Sequence, residues 1–150
     1  MGDSKTRRYI RELREGNLVV AARDSESGSA GRALYSLRDV RVATLADVLR
    51  SLIAMRAPEE AEALFRALAD ASRLALLDLV QYAPCGPSEA GEALGLEQSN
   101  TAKHFEVLRD ARLVTRTERS KKHVDYSLAD ERISDFLRLA KDLAADTPHS

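Results

Sequence analysis

The chain has no tryptophan and only one cysteine, Cys85, among its 150 residues. A single thiol cannot form a disulfide within the chain, which favours a reducing compartment, the cytoplasm. Aromatic residues make up 5% of the sequence, so leucine, alanine and valine must fill the core, as is typical of packed helices. No apolar run approaches the length of a membrane span, and the polar start at Met1–Tyr9 lacks the apolar stretch of a signal peptide.

Sequence motifs of the common enzyme classes are also absent. There is no glycine-rich phosphate loop, no nucleophile motif and no metal triad, so we expect no enzymatic activity. The formal net charge is −1 and the isoelectric point about 6.3, whereas many nucleic-acid binders are strongly basic overall. A local basic patch can still bind phosphates, so the total charge excludes neither class.

The sequence between residues 58 and 81 predicts two amphipathic helices. Pro58–Asp70 has apolar side chains at the i, i+3, i+4, i+7 spacing of one helix face, and proline suits the first helical turn. Ala71–Gln81 presents a second apolar face. The apolar positions are Ala61, Leu64, Phe65 and Leu68 in the first helix and Leu74, Leu77 and Val80 in the second.

A helix-turn-helix is predicted directly after this pair. Ser88 is expected to cap a short helix that ends at Leu94, with Gly95 as the left-handed residue behind it. Helical character resumes at Gln98, after only two intervening residues, and continues to about Arg109. Two short helices that meet across a tight, glycine-containing turn are typical of a helix-turn-helix.

Two strand-like segments, Leu113–Glu118 and His123–Leu128, follow the second helix and are rich in Val, Thr and Tyr. The polar and basic segment Arg119–Lys122 joins them, which predicts a hairpin wing. Asp130 is expected to cap a last helix. We therefore predict a mainly α fold with small β-hairpin wings, a winged helix-turn-helix, over residues 58–146, and a loose tail at 147–150.

Residues 3–55 repeat part of this pattern. Ser4–Val19 shares a serine, a threonine, a Leu-Arg pair and a Leu-Val pair with Ser99–Val114 in the same register, and Tyr35–Leu37 matches Tyr126–Leu128. We interpret residues 1–57 as a partial winged-helix repeat with a recognition-like helix, a hairpin with a longer tip, and a last helix. Any helix–hairpin–helix segment would look similar, which is the alternative. Three helices encoded directly upstream of Met1 would complete a tandem repeat.

Four motifs in this order resemble the ArsR family of bacterial winged-helix repressors: Leu68–Leu74, Gly95–Asn100, His104–Arg109 and Tyr126–Leu128. The resemblance covers about residues 58–146. It implies a repressor that binds double-stranded DNA as a homodimer and does not enter a membrane. The alternative is a winged-helix protein-interaction module that has lost operator binding. The sequence does not identify a small-molecule effector.

The exposed face of the predicted recognition helix bears Gln98, Ser99, Ala102 and Lys103, which we expect to contact bases. Glutamine can form two hydrogen bonds with adenine, and lysine can reach guanine. Serine can donate or accept a hydrogen bond, and the alanine methyl can contact a thymine methyl. Thr101, Phe105 and Leu108 are expected to face the core. The alternative is a polar helix face that contacts only solvent.

Phosphate contacts are predicted for a larger, mostly cationic set on the same helix and the wing. Such contacts position a protein on DNA and supply affinity through counterion release. An ordinary solvated hairpin tip is the alternative for the wing. The predicted phosphate contacts are Asn100, His104, Arg109, Arg116, Arg119, Lys121, Lys122 and His123.

The resemblance also raises the question of a metal, since the family is best known for metal-sensing repressors. One type of site needs a Cys-x-Cys pair before the turn, where this chain has only Cys85. A second type uses Asp-x-His at the start of the last helix and two ligands further along it. Its positions here are Asp130, Arg132, Leu143 and Asp146, and in the first copy Asp39, Arg41, Leu52 and Met55. These residues cannot hold a transition metal well, so we expect no metal and no cofactor. Cys85 is expected to be inert, with a redox role as the alternative.

We expect the family's mode of dimerisation, through the first and last helices. The N-terminal copy lacks the three helices that would cover its own apolar stripe, so we expect it to take part in dimer packing rather than to be a second DNA reader. The predicted dimer residues are Leu45, Leu49, Leu52, Leu64, Phe65, Phe136, Leu139 and Leu143.

Overall fold

The computed structural model describes residues 4–16, 19–23, 33–37, 40–54 and 56–145. By its contacts the chain divides into two compact units, residues 1–47 with 139–150 and residues 48–138. Among the described residues, no helix combines the length and the apolar character that crossing a membrane requires.

The first unit begins with helix α1 and an antiparallel hairpin. Val19 pairs with Leu37 at one end of this hairpin and Arg23 with Ala33 at the other. The observed order of helix, hairpin and helix is the predicted one, whereas the duplication itself stays a prediction. The predicted tip at 25–31 lies outside the described residues. The elements are α1 (Ser4–Glu15), β1 (Val19–Arg23), β2 (Ala33–Leu37) and α2 (Val40–Ile53), whose second half belongs to the other unit.

The second unit contains the predicted winged helix-turn-helix, and its elements begin and end close to their predicted positions. Its hairpin pairs Val114 with Leu128 and continues to a bulge between Glu118 and Ser120. The elements are α3 (Pro58–Leu68), α4 (Ala71–Val80), α5 (Pro87–Leu94), α6 (Gln98–Asp110), β3 (Val114–Ser120), β4 (His123–Leu128) and α7 (Glu131–Ala145), whose residues from 139 onward belong to the first unit.

One hydrophobic core holds the second unit together. The predicted inward stripe of α6 is confirmed, because Thr101, Phe105 and Leu108 are completely buried. Leucines of α3 and α4, with Ile133 of α7, complete this core. Burying a large apolar side chain contributes about 1.5–3 kcal/mol, so packing rather than helix propensity holds α6 in place.

One predicted helix cap is confirmed and another is wrong. Asp130 caps α7 as expected, since its carboxylate accepts a hydrogen bond from the Arg132 amide at 2.9 Å. Ser88 is not an N-cap, because α5 begins before it, at Pro87. Proline suits the first helical position, where its missing N–H costs nothing, and this places Ser88 inside the first turn. The structure also shows an N-cap on α4 that was not predicted, where the Asp70 carboxylate accepts a hydrogen bond from the Arg73 amide at 3.0 Å.

Two glycines make the turn between α5 and α6. Gly95 has a φ of 67°, the left-handed conformation in which a helix often ends. Gly91 is buried, and the Leu96 amide donates to its carbonyl oxygen at 2.8 Å. A Cβ on Gly91 would lie only 2.8 Å from the Leu96 carbonyl oxygen, so this position needs glycine for the close approach of the turn.

Candidate nucleic-acid interface

Helix α6 presents a polar surface opposite its buried stripe. The side chains of Gln98, Ser99 and Lys103 are exposed, and Ala102 is half-buried. All four predicted base contacts therefore lie on the part of α6 that the core leaves uncovered. Ser99 donates a hydrogen bond to the carboxylate of Glu97, so its hydroxyl already has a partner in the free protein.

A cleft of about 470 Å³ lies between the start of α5, the start of α6 and the wing. Two predicted base contacts, Gln98 and Ala102, line it together with the predicted phosphate contacts Arg119, Lys122 and His123. The fold therefore places part of the recognition helix beside the cationic wing tip. These side chains come from segments about twenty residues apart, and the turn and hairpin bring them to one surface.

The arginines of the wing are paired with carboxylates. Arg116 lies 3.1 Å from Glu118, and Arg119 forms a close ion pair with Asp125 and lies 3.9 Å from Glu89. The hydrogen bond from Arg119 to Asp125 raises the pKa of the Arg119 guanidinium above its ordinary value, so this group stays charged.

The predicted phosphate contacts on α6 differ in exposure. Asn100 is exposed, and Arg109 is exposed but paired with Glu106 and Asp110. His104 is half-buried, with its Nδ1 3.5 Å from Nη1 of Arg73. Among the wing residues, Lys121, Lys122 and His123 are exposed. The wing lysines are thus more accessible to a phosphate than His104.

Tyr126 connects the wing to the recognition helix. Its ring stacks on Phe105 with centroids 4.3 Å apart and planes 1° from parallel, and its hydroxyl donates to Glu106 at 3.0 Å. Burial and this carboxylate both raise the pKa of Tyr126, which keeps the phenol protonated. Sequence reasoning assigned Tyr126 no positioning role, although its Tyr-Ser-Leu motif is part of the family resemblance.

Arg56 is a second positioning residue that sequence reasoning did not find. Its guanidinium donates to the carbonyl oxygens of Ala111 at 2.6 Å and Leu52 at 3.0 Å. It therefore satisfies a carbonyl at the C-terminal end of α6, where helices leave such groups unpaired. No sequence pattern predicts a cap from 55 residues away.

Cys85 is half-buried and forms a short antiparallel β-bridge with Tyr126 of strand β4. Its backbone exchanges two hydrogen bonds with Tyr126, at 3.2 and 2.9 Å. Burial, together with Glu89 and Asp125, raises the pKa of the Cys85 thiol, which disfavours the reactive thiolate. The environment therefore offers no physical support for a redox switch.

At the described positions of the family's last-helix metal site the second copy carries Asp130, Arg132 and Leu143, of which only Asp130 has a metal-binding side chain. Asp130 caps α7 and forms an ion pair with Arg132, which lowers the pKa of that carboxyl. No group of three or more His, Cys, Asp or Glu side chains that could hold a metal ion occurs among the described residues. Asp39, Met55 and Asp146 lie outside those residues.

The predicted dimer residues divide into buried and accessible positions. Leu52, Leu64 and Leu139 are already buried within the chain. Leu45, Leu49, Phe136 and Leu143 are half-buried, and Phe65 is 44% exposed. Only the second group has surface left for a partner to cover.

Comparison with known proteins supplies independent information. No family model matches the chain. A curated protein of Streptomyces lividans described as a probable mercury resistance operon repressor is 36% identical over 89 residues, which cover 59% of this chain and 70% of that protein.

Solved structures include similar folds. NolR of Sinorhizobium fredii is 24% identical, with a TM-score of 0.52, over 59% of this chain and 88% of that one. A homodimeric winged helix-turn-helix DNA-binding domain of Mycobacterium bovis is 20% identical, with a TM-score of 0.53, over 77% of this chain and 98% of that one. At these identities the structures show the shared fold alone.

The family follows from the sequence relative and the fold together. The relative is more than 30% identical and is matched over more than two thirds of its length. Its matched length is that of one winged domain, and this chain contains such a domain with an intact turn and wing. The chain belongs to the ArsR-type family of winged helix-turn-helix transcriptional regulators, which are not enzymes.

Proposed function

We propose that the chain is a sequence-specific repressor that inserts helix α6 into the major groove of double-stranded DNA and contacts phosphates with the wing. The observation that carries the proposal is the cleft in which Gln98 and Ala102 lie beside Lys122 and His123. A major groove about 12 Å wide admits a helix, and a wing beside that helix can then reach the backbone. The repressor role is supported by the name of the Streptomyces relative.

The two kinds of contact have different consequences. Lys103 and Gln98 are exposed on α6 and would contact base edges, which gives specificity. Lys121 and Lys122, exposed at the wing tip, would neutralise phosphates, which gives affinity without sequence information. Because Arg116 and Arg119 already have carboxylate partners, we assign the larger share of the wing's affinity to the two lysines.

The test uses a duplex from the DNA upstream of the chain's own coding sequence and an unrelated duplex. Lys103→Ala should weaken binding of the first duplex by about 1–3 kcal/mol and relax the preference at one base pair, if the lysine contacts guanine. Lys121→Ala with Lys122→Ala should weaken both duplexes about equally and reduce the salt dependence of binding. Lys141→Ala, at an exposed lysine of α7, is the control and should bind like wild type.

Two results would contradict this assignment. If both variants bind an identified operator like wild type at matched salt, the site is wrong. If the wild-type chain binds no duplex in a salt-dependent way, DNA binding itself is wrong, and a protein-interaction module becomes the better explanation.

We further propose that the repressor acts as a homodimer, as the Mycobacterium bovis neighbour does. The support is the accessible apolar set, in which Phe65 is a large side chain that α3 leaves 44% exposed. An isologous interface is the commonest way to cover such a surface. Light scattering at micromolar concentration should give twice the chain mass, and a monomer would refute the dimer.

We infer that the regulatory signal is not a transition metal held by this chain, although the Streptomyces relative is named for mercury resistance. The support comes from the family's metal-ligand positions, where Arg132 and Leu143 stand in place of imidazole ligands. The chain's single thiol, Cys85, is half-buried. Tight transition-metal sites need several nitrogen or sulfur ligands at one point.

A further inference from the structure

Helix α1 carries the densest positive charge of any described helix. Its twelve residues contain five basic and two acidic side chains. The recognition helix α6, by contrast, has two basic and two acidic side chains besides His104. The chain as a whole has a net charge of −1, so this concentration at one helix is a local feature.

Three arginines lie along one face of α1. Arg7, Arg11 and Arg14 are spaced i, i+4, i+7, and all three are exposed. We call them the arginine stripe. At a rise of about 1.5 Å per residue they span about 10 Å along the helix axis. A DNA strand carries about one phosphate per 3.4 Å of its axis, so the stripe is long enough to face about three nucleotide steps.

The stripe differs from the other arginines of the candidate interface in its partners. Arg109, Arg116 and Arg119 each have a carboxylate within 4 Å. Within the described ranges no carboxylate pairs with any arginine of the stripe, whereas the neighbouring Arg8 pairs with Glu12 at 3.6 Å. Unpaired guanidinium groups need no exchange of partners before they bind a phosphate oxygen.

Helix α1 also has little packing of its own. Ile10 is half-buried, but Tyr9 is 52% exposed and Leu13 is 42% exposed. A helix of twelve residues is marginal in water without packing. A polyanion that binds the stripe would stabilise α1 as well as add affinity.

We propose that the arginine stripe of α1 contacts DNA phosphates, as a second backbone contact besides the wing. The proposal rests on the proposed function, since it assumes that the chain binds DNA through α6. It assigns α1 no base contacts, so α1 adds affinity without being a second reader of sequence. Its apolar side chains, Tyr9 and Leu13, stay available for protein packing.

The test replaces Arg7, Arg11 and Arg14 together by glutamine and, in a matched control, by lysine. Binding of an operator duplex and an unrelated duplex is measured between about 50 and 200 mM salt. The slope of log K against log salt should become shallower by about 0.9 for each phosphate that is no longer neutralised, or about 2.7 for the three contacts of each bound protomer. For each bound protomer, wild type should then lose about 40-fold more affinity over this range than the glutamine variant, by the same relation.

Further expectations separate charge from structure. The lysine variant keeps the positive charge and should therefore keep most of the salt dependence of DNA binding. The ratio of operator to unrelated affinity should stay within about threefold in the glutamine variant, because phosphate contacts are independent of sequence. Circular dichroism checks that both variants keep their helix content.

Four results would overturn the proposal. The first is a glutamine variant whose DNA binding has the same salt dependence as that of wild type. This result would refute the stripe contact but not the proposed function. The second is an equally shallow slope in the lysine variant, which would indicate a structural effect. The third is a changed oligomeric state with unchanged DNA binding, which would assign the stripe to a protein partner. The fourth is stripe-dependent binding to phosphatidylserine vesicles with no change on DNA. If wild type binds no duplex, both proposals fail together.

Discussion

The hydrogen bond between Tyr126 and Glu106 offers the sharpest test of how the wing is held against the recognition helix. Tyr126→Phe removes the hydroxyl that lies 3.0 Å from the Glu106 carboxylate. It keeps the ring that stacks on Phe105 at 4.3 Å. The substitution therefore isolates one polar contact between β4 and α6.

The environment of Glu106 sets the magnitude of the effect. A hydrogen bond to a charged group contributes about 1.5–3 kcal/mol. The Glu106 side chain is 46% exposed and keeps its ion pair with Arg109, so the carboxylate is not left buried and unpaired. Because the carboxylate is partly exposed, we expect the decrease in stability to lie at or slightly below the low end of this range, at about 1–1.5 kcal/mol. For a chain of this size that corresponds to a drop in Tm of about 2–6 °C.

The assay is urea unfolding monitored by circular dichroism, where a lower midpoint with an unchanged m-value indicates reduced stability. Tyr82→Phe is the matched control, because Tyr82 is 80% exposed and should change stability by less than about 0.5 kcal/mol. Glu106→Gln closes a double-mutant cycle that isolates the pair. The reasoning fails if Tyr126→Phe is as stable as Tyr82→Phe, or if the effects of Tyr126→Phe and Glu106→Gln simply add.

Four further outcomes are expected. Gly91→Ala should cost about 1–3 kcal/mol of stability, since the new Cβ would meet the Leu96 carbonyl oxygen at 2.8 Å; wild-type stability would show that the turn relaxes. Asp70→Ala should cost about 0.5–2 kcal/mol at neutral pH because it removes the cap of α4. Because the Arg73 amide lowers the pKa of Asp70, this contribution is present above the unfolded pKa of about 3.9 and disappears as the pH falls through the folded value; a difference that does not shrink as the pH is lowered below the unfolded pKa would contradict the assignment. Calorimetric titration with zinc, nickel or cadmium should show no submicromolar site that alters DNA affinity, and such a site would refute the exclusion of a metal signal. Deletion of residues 1–55 should lower stability or solubility, and no change in either would show that the N-terminal copy is not part of the packing.

The sequence alone predicted the element order and the inward face of α6 because both depend on local patterns. The spacing of Thr101, Phe105 and Leu108 follows the helical repeat, and all three are buried. Gly95 ends α5 in the left-handed conformation that its position predicts. Ser88 was misassigned because Pro87, one residue earlier, is an equally local signal that moves the helix start.

The tertiary structure alone decided which charged side chains are paired. Nothing in the sequence indicates that Asp125 holds Arg119, or that the arginine stripe of α1 has no carboxylate partner in the described part of the chain. It also decided the cap that Arg56 provides for α6, across 55 residues. Such contacts depend on how separate segments pack, and packing is set by the core as a whole rather than by neighbouring residues. Helix boundaries and buried faces were therefore predictable, whereas the electrostatics of the proposed DNA surface required the fold.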